Sequence, residues 1–146
     1  MTDVGRLLRE TKTVLLVDWP SREVPDTLAR GGYTVISDEG PGKYNAYEVE
    51  AGVVRTRGVG RLPERADLVY AHRPIEELPE IVDTAKSIGA MAVWIQSGRD
   101  EAGTKDPRGC WFAPEESSKA RGIVEEAGLK YIEAPYIADA VREFRS

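Results

Sequence analysis

The chain has 146 residues, of which 41% are hydrophobic and 31% charged, proportions that suit one soluble globular domain over 1–146 with a single core. A net charge of -5 argues against a broad nucleic-acid grip, which needs a basic surface to displace counterions. One cysteine, Cys110, and one histidine, His72, exclude an internal disulfide and a Cys- or His-rich metal centre.

The apolar pattern then changes period repeatedly along the chain. Asp3 reads as a helix N-cap, with Val4, Leu7 and Leu8 spaced for one helical face behind it. Thr13-Val14-Leu15-Leu16-Val17 is a β-branched apolar run of the kind buried on both faces. A turn-rich segment from Asp18 to Arg22 ends that strand, and a helix from about Glu23 to Arg30 follows, stopped by Gly31-Gly32. Tyr33-Thr34-Val35-Ile36 is a second strand. Beyond the loop from Ser37 to Asn45, Tyr47 to Glu50 and Val53 to Thr56 read as a short hairpin or edge strand turning at Ala51-Gly52.

Asp67 to Ala71 is the third main strand, and Ile75, Leu78, Ile81, Val82, Ala85 and Ile88 recur behind it at helical spacing. Met91 to Ile95 is a wholly apolar fourth strand. A polar, Gly- and Pro-bearing insertion at 99–113 is tipped by Cys110, Trp111 and Phe112. Pro114 opens a further helix, Lys130 to Glu133 form a fifth strand, and Ile137, Ala140, Val141 and Phe144 mark a last amphipathic helix. Strands alternating with helices of this length imply right-handed crossovers and a sheet covered on both faces. The expectation is an α/β, Rossmann-like, doubly wound domain with a mainly parallel five-stranded sheet in the order 3-2-1-4-5. No apolar run approaches the roughly 18 residues of a membrane span. The amino terminus carries no stretch of signal-peptide type, so the expected location is cytoplasmic.

Open parallel sheets bind ligands beyond the carboxyl ends of their strands, where the strand order reverses. The residues at those ends are Asp18, Trp19, Pro20, Ser21 and Arg22 after the first strand, and Ser37 and Asp38 after the second. Arg73 follows the third and Gln96, Ser97 and Gly98 the fourth. Arg22 and Arg73 suit charge-assisted bonds to phosphate. Helix N-termini near Glu23 and near Ser97-Gly98 suit an anion, and Asp38 or Glu39 suits a ribose hydroxyl.

Three segments carry a family resemblance: Gly32-Tyr33-x-Val35, Asp67-Leu68-Val69-Tyr70-Ala71-His72-Arg73-Pro74, and Trp94-Ile95-Gln96-Ser97-Gly98. In this order the chain resembles the small bacterial CoA-binding domain proteins, stand-alone relatives of the CoA-binding domain of succinyl-CoA synthetase and of acyl-CoA synthetases. The similarity runs from about Arg6 to Phe144. It implies a Rossmann-like domain that holds CoA, or another adenine nucleotide, at the strand ends, with no catalysis. Three places depart from the family pattern. Val17-Asp18-Trp19-Pro20-Ser21-Arg22 stands where a small-residue loop of Gly-Ala-Ser type is usual, and Asp18 repels phosphate. Ile36-Ser37-Asp38-Glu39 stands in place of Pro-Val-Asn-Pro, and Ala134-Pro135-Tyr136 where a cysteine is common.

No paired catalytic constellation can be assembled from named residues, and neither GxGxxG nor GxSxG occurs. His72 reads as structural and Cys110 as chemically inert. Arg73 has two readings, an anion contact or a partner of Glu76 or Glu77. The expected partner is a nucleotide-like small molecule, with no nucleic acid, membrane or metal. The alternative is a relative that has lost its ligand and serves as a protein-interaction module or homodimer, motivated by the altered first loop and the Cys110-Trp111-Phe112 tip.

Overall fold

A computed structural model of the chain describes residues 3–40, 42–95, 114–133 and 136–145. The elements run α1 (Asp3–Glu10), β1 (Thr13–Val17), α2 (Glu23–Arg30), β2 (Thr34–Asp38), β3 (Tyr44–Glu50), β4 (Val53–Gly58) and β5 (Leu68–Ala71). A 3-10 turn over Ile75–Glu77 leads into α3 (Leu78–Ser87), followed by β6 (Ala92–Ile95), α4 (Pro114–Glu126), β7 (Lys130–Ile132) and α5 (Ile137–Arg145).

All seven strands form one sheet in the order β4-β3-β2-β1-β5-β6-β7. Five of them, β2, β1, β5, β6 and β7, are mutually parallel, while β3 and β4 pair antiparallel at one edge. The Rossmann-like architecture therefore holds, but five strands in the order 3-2-1-4-5 is corrected. The third main strand, β5, pairs with β1 and not with β2. The reason is the hairpin. β3 takes the open side of β2, with Ile36 facing Ala46 and Asp38 facing Tyr44. Only the far side of β1 then remains for β5.

The hairpin closes through two residues, Ala51 and Gly52, both with positive φ (52° and 79°), between paired Glu50 and Val53. Two left-handed residues in a row match the twist of the flanking strands, and glycine takes that conformation without cost.

Alternation along β1 divides the core. Val14 and Leu16 pack with Leu8 of α1, Val24 and Leu28 of α2, and Ile137 and Val141 of α5. Leu15 packs with Val69, Val93, Leu78 and Val82 of α3, and Val124 of α4. Each such fully buried aliphatic side chain contributes about 1.5–3 kcal/mol of transfer free energy. Strands β5 and β6 are buried at every position, as expected of parallel strands covered on both faces.

Polar contacts fix the strand starts. One carboxylate oxygen of Asp67 accepts the backbone N–H groups of Lys12 and Thr13 at 2.8 and 3.0 Å, tying the entry of β1 to that of β5. The Tyr33 hydroxyl donates to the carbonyl of Leu8 at 2.8 Å, beside the end of α1. Gly31 matters for proximity: a Cβ built there would stand 3.1 Å from Cγ1 of Val141, so α2 and α5 meet closely only because that atom is missing. No helix among the described residues is long and apolar enough to cross a membrane.

Candidate ligand cleft at the switch point

The strand order reverses between β1 and β5. The chain leaves β1 for α2 on one face and leaves β5 for α3 on the other. The loops diverge and open a crevice above the carboxyl ends. A cleft of about 650 Å3 lies there, within the range of small-molecule sites. It is lined by Val17, Asp18 and Trp19 from the end of β1, Asp38, Glu39 and Gly40 from the end of β2, and Arg73 after β5. Glu77, Glu80, Ile81 and Thr84 complete it from the 3-10 turn and α3.

Asp18 and Arg73 face each other across this gap. Nη1 of Arg73 donates to Oδ2 of Asp18 at 3.1 Å. From the other side Glu77 takes the guanidinium in a fork, with Nε donating at 3.0 and 3.1 Å and Nη2 at 2.6 Å. The hydrogen bonds to Glu77 first, and that to Asp18 second, hold the Arg73 pKa above its ordinary value. Arg73 is a permanent cation. Its side chain is 38% exposed, so each ion pair is worth only about 0–1 kcal/mol and yields readily to a stronger anion.

Asp18 adopts φ 65°, a left-handed conformation that Asp tolerates better than most side chains but that favours glycine. Its Oδ1 accepts the N–H of Trp19 at 2.9 Å, which steadies the turn. The Trp19 ring then meets Tyr47 of β3 edge-on, with centroids 6.1 Å apart at 88°. This indole forms one wall of the cleft and joins its rim to the hairpin.

Not all of the expected site residues converge. Asp18, Trp19, Asp38 and Arg73 line the cleft, whereas Pro20, Ser21, Arg22 and Ser37 do not. Arg22 pairs with Asp26 at 3.0 Å and lies 5.5 Å above the Tyr47 ring, directed at the hairpin. Ser21 leads into α2: its carbonyl accepts the N–H of Val24 at 3.2 Å and its hydroxyl that of Glu23 at 3.3 Å. Those N–H groups are thus already engaged. Ser37 is fully buried, and its hydroxyl donates to Oε2 of Glu39 at 3.0 Å. The same carboxylate takes the side-chain amide of Asn45, which fixes Glu39 at the cleft edge. Gln96, Ser97 and Gly98, and the insertion bearing Cys110, Trp111 and Phe112, lie outside the described residues.

The α3 side of the cleft was missed from sequence. Its signal was present: Glu77, Glu80, Ile81 and Thr84 stand at i, i+3, i+4 and i+7, one face of a helix. The apolar stripe on the same helix hid it. Of the two readings of Arg73, the pairing with Glu77 is present, and Arg73 lines the cleft at the same time.

The comparisons with known proteins bear on this cleft. A family model described as a CoA binding domain matches residues 16–138, most of the chain and both sides of the switch point. The chain belongs to this CoA-binding domain family. Among solved structures, a Thermus thermophilus protein is 20% identical, covers 99% of both chains and superposes with a TM-score of 0.62. A hypothetical protein from Pyrococcus horikoshii is 20% identical over 100% of this chain and 94% of its own, with a TM-score of 0.59. One from Pyrococcus furiosus is 19% identical over 88% of this chain and 97% of its own, with a TM-score of 0.51. These likenesses establish the shared fold. No curated protein matches the chain.

The cleft of this CoA-binding domain is acidic. Among the described lining residues Arg73 is the one cation, against the carboxylates of Asp18, Asp38, Glu39, Glu77 and Glu80. Two of those acids already bond to Arg73. Asp18 competes with any anion for Arg73, and the small worth of an exposed pair lets a stronger anion displace it. Asp38 and Glu39, by contrast, offer acceptors suited to hydroxyl groups.

Proposed function

We propose that this CoA-binding domain is a non-catalytic, cytoplasmic binding protein for CoA or a related adenine nucleotide. The phosphates sit against Arg73, beside Asp18 and Trp19, and the ribose turns toward Asp38. The observation that carries the reading is the position of the cleft: it lies at the β1/β5 switch point, between Asp18 and Arg73, in a chain of this family. The fold supports it through a general rule, since open parallel sheets bind ligands at this crevice whatever chemistry follows.

A ligand that binds only the folded state raises the melting temperature, by about 2.7 kcal/mol of stabilisation at a hundred times its Kd. Thermal-shift titration with CoA, NAD and ATP tests the reading. A rise in Tm with at least one of them supports it, and no shift with any at millimolar concentration overturns it.

A further inference from the structure

We infer that the cleft selects adenine nucleotides whose ribose carries no phosphate ester, so that dephospho-CoA, NAD or ATP binds in preference to CoA itself. The inference rests on the nucleotide reading above and narrows it to one ligand class. CoA bears a phosphate on the 3′-oxygen of its ribose, and these ligands have a free 2′,3′-diol in its place.

Two carboxylates occupy the β2 side of the cleft, and both are held in place. Oδ1 of Asp38 accepts the backbone N–H of Gly40 at 3.1 Å. Glu39 is anchored by the hydroxyl of the fully buried Ser37 and by the Asn45 amide. A diol donates hydrogen bonds to such a pair. A phosphate dianion in the same position meets two like charges, and each carboxylate within about 5 Å at an effective dielectric of about 20 weakens binding by more than tenfold.

Among the described residues nothing cationic on that side offsets the repulsion. Arg73 follows β5, two strands from β2 and thus about 10 Å across the sheet, where it serves the diphosphate. The Arg22 guanidinium is directed at Tyr47 and Asp26. Lys43, in the loop after β2, is exposed and does not line the cleft.

Calorimetric titration of the whole protein with CoA and with dephospho-CoA isolates the ribose phosphate, because the two differ in that group alone. Dephospho-CoA is expected to bind at least about tenfold tighter. The double variant Asp38→Asn, Glu39→Gln keeps one oxygen acceptor on each side chain while losing both charges, and is expected to narrow the gap to less than about threefold. Equal affinities in the wild type, tighter binding of CoA, or a gap unchanged in the double variant overturns the inference and leaves the nucleotide reading standing. Binding of neither ligand, nor of NAD or ATP, at millimolar concentration overturns both.

Discussion

Asp18 and Arg73 belong to loops on opposite sides of the switch point and close it with one hydrogen bond of 3.1 Å, so the cation offered to a ligand is already shared. The acid stands at φ 65°, where a glycine costs nothing. Asp18→Gly therefore releases backbone strain and frees one face of Arg73 together. It is expected to tighten ATP binding by about three- to fivefold, the scale of an exposed ion pair. Arg73→Ala is expected to weaken the same binding at least about tenfold, and Arg73→Lys to recover only part, since a point charge replaces a planar fork. Calorimetry on the three variants checks the order.

The Arg73 contacts also set a pH dependence. Bonds to Glu77, then to Asp18, raise its pKa above the ordinary guanidinium value. A raised pKa on a cationic group gives stability that is complete below the unfolded value and lost only above the folded one. Both lie beyond the working range, so the Arg73 contribution to ATP binding is expected to stay flat from about pH 7 to about pH 10. Comparing wild type with Arg73→Ala across that interval measures it.

Tyr47 also carries a shifted group. Burial first, and the negative charge of Glu39 second, push its phenol above the ordinary value of 10.0. The neutral form is favoured in the fold, so the associated stability is complete below pH 10.0 and disappears as pH rises through the shifted value. Following tyrosinate absorbance, a late-titrating component is expected in the wild type and is expected to shrink in Tyr47→Phe. The variant is also expected to lose less stability above pH 10.0 than the wild type does.

His72 carries a buried Nε2 with no hydrogen-bond partner among the described residues. An unsatisfied buried nitrogen costs about 1–3 kcal/mol. Replacing the ring by an apolar one of similar size is therefore expected to be neutral or favourable, with His72→Phe raising Tm by up to about 3 °C. A fall in Tm by scanning calorimetry would contradict this account of the residue.

Gly31 meets α5 through the missing atom. An alanine there brings Cβ to 3.1 Å from Val141 Cγ1 and 3.2 Å from the Thr27 carbonyl. Gly31→Ala is expected to cost about 1–2 kcal/mol, the scale of mild overpacking. Val141→Ala in the same chain is expected to relieve part of that cost, seen as favourable coupling in denaturant midpoints.

Much of this was legible in the chain, because β1, β5 and β6 are apolar runs bounded by turn residues. The residue types place the end of the second strand at Ile36, yet it continues through Ser37 and Asp38, whose polar side chains hide a pairing with Asn45 and Tyr44. Periodicity reports which face is buried but not which strand lies alongside, so it could not show that the hairpin takes the edge of β2. At the site, Asp18, Trp19, Asp38 and Arg73 follow from position alone once the strands are known. Arg22 does not, because its direction depends on Tyr47 and Asp26, and Tyr47 reaches it only through the tertiary fold.

The claim on which the account turns is that nucleotide phosphates bind at Arg73 by displacing Asp18. A crystal structure of the protein grown with ADP tests it directly. The account predicts phosphate oxygens about 3 Å from the Arg73 guanidinium with the Asp18 contact broken. ADP seated elsewhere, with Asp18 still bonded to Arg73, would contradict it.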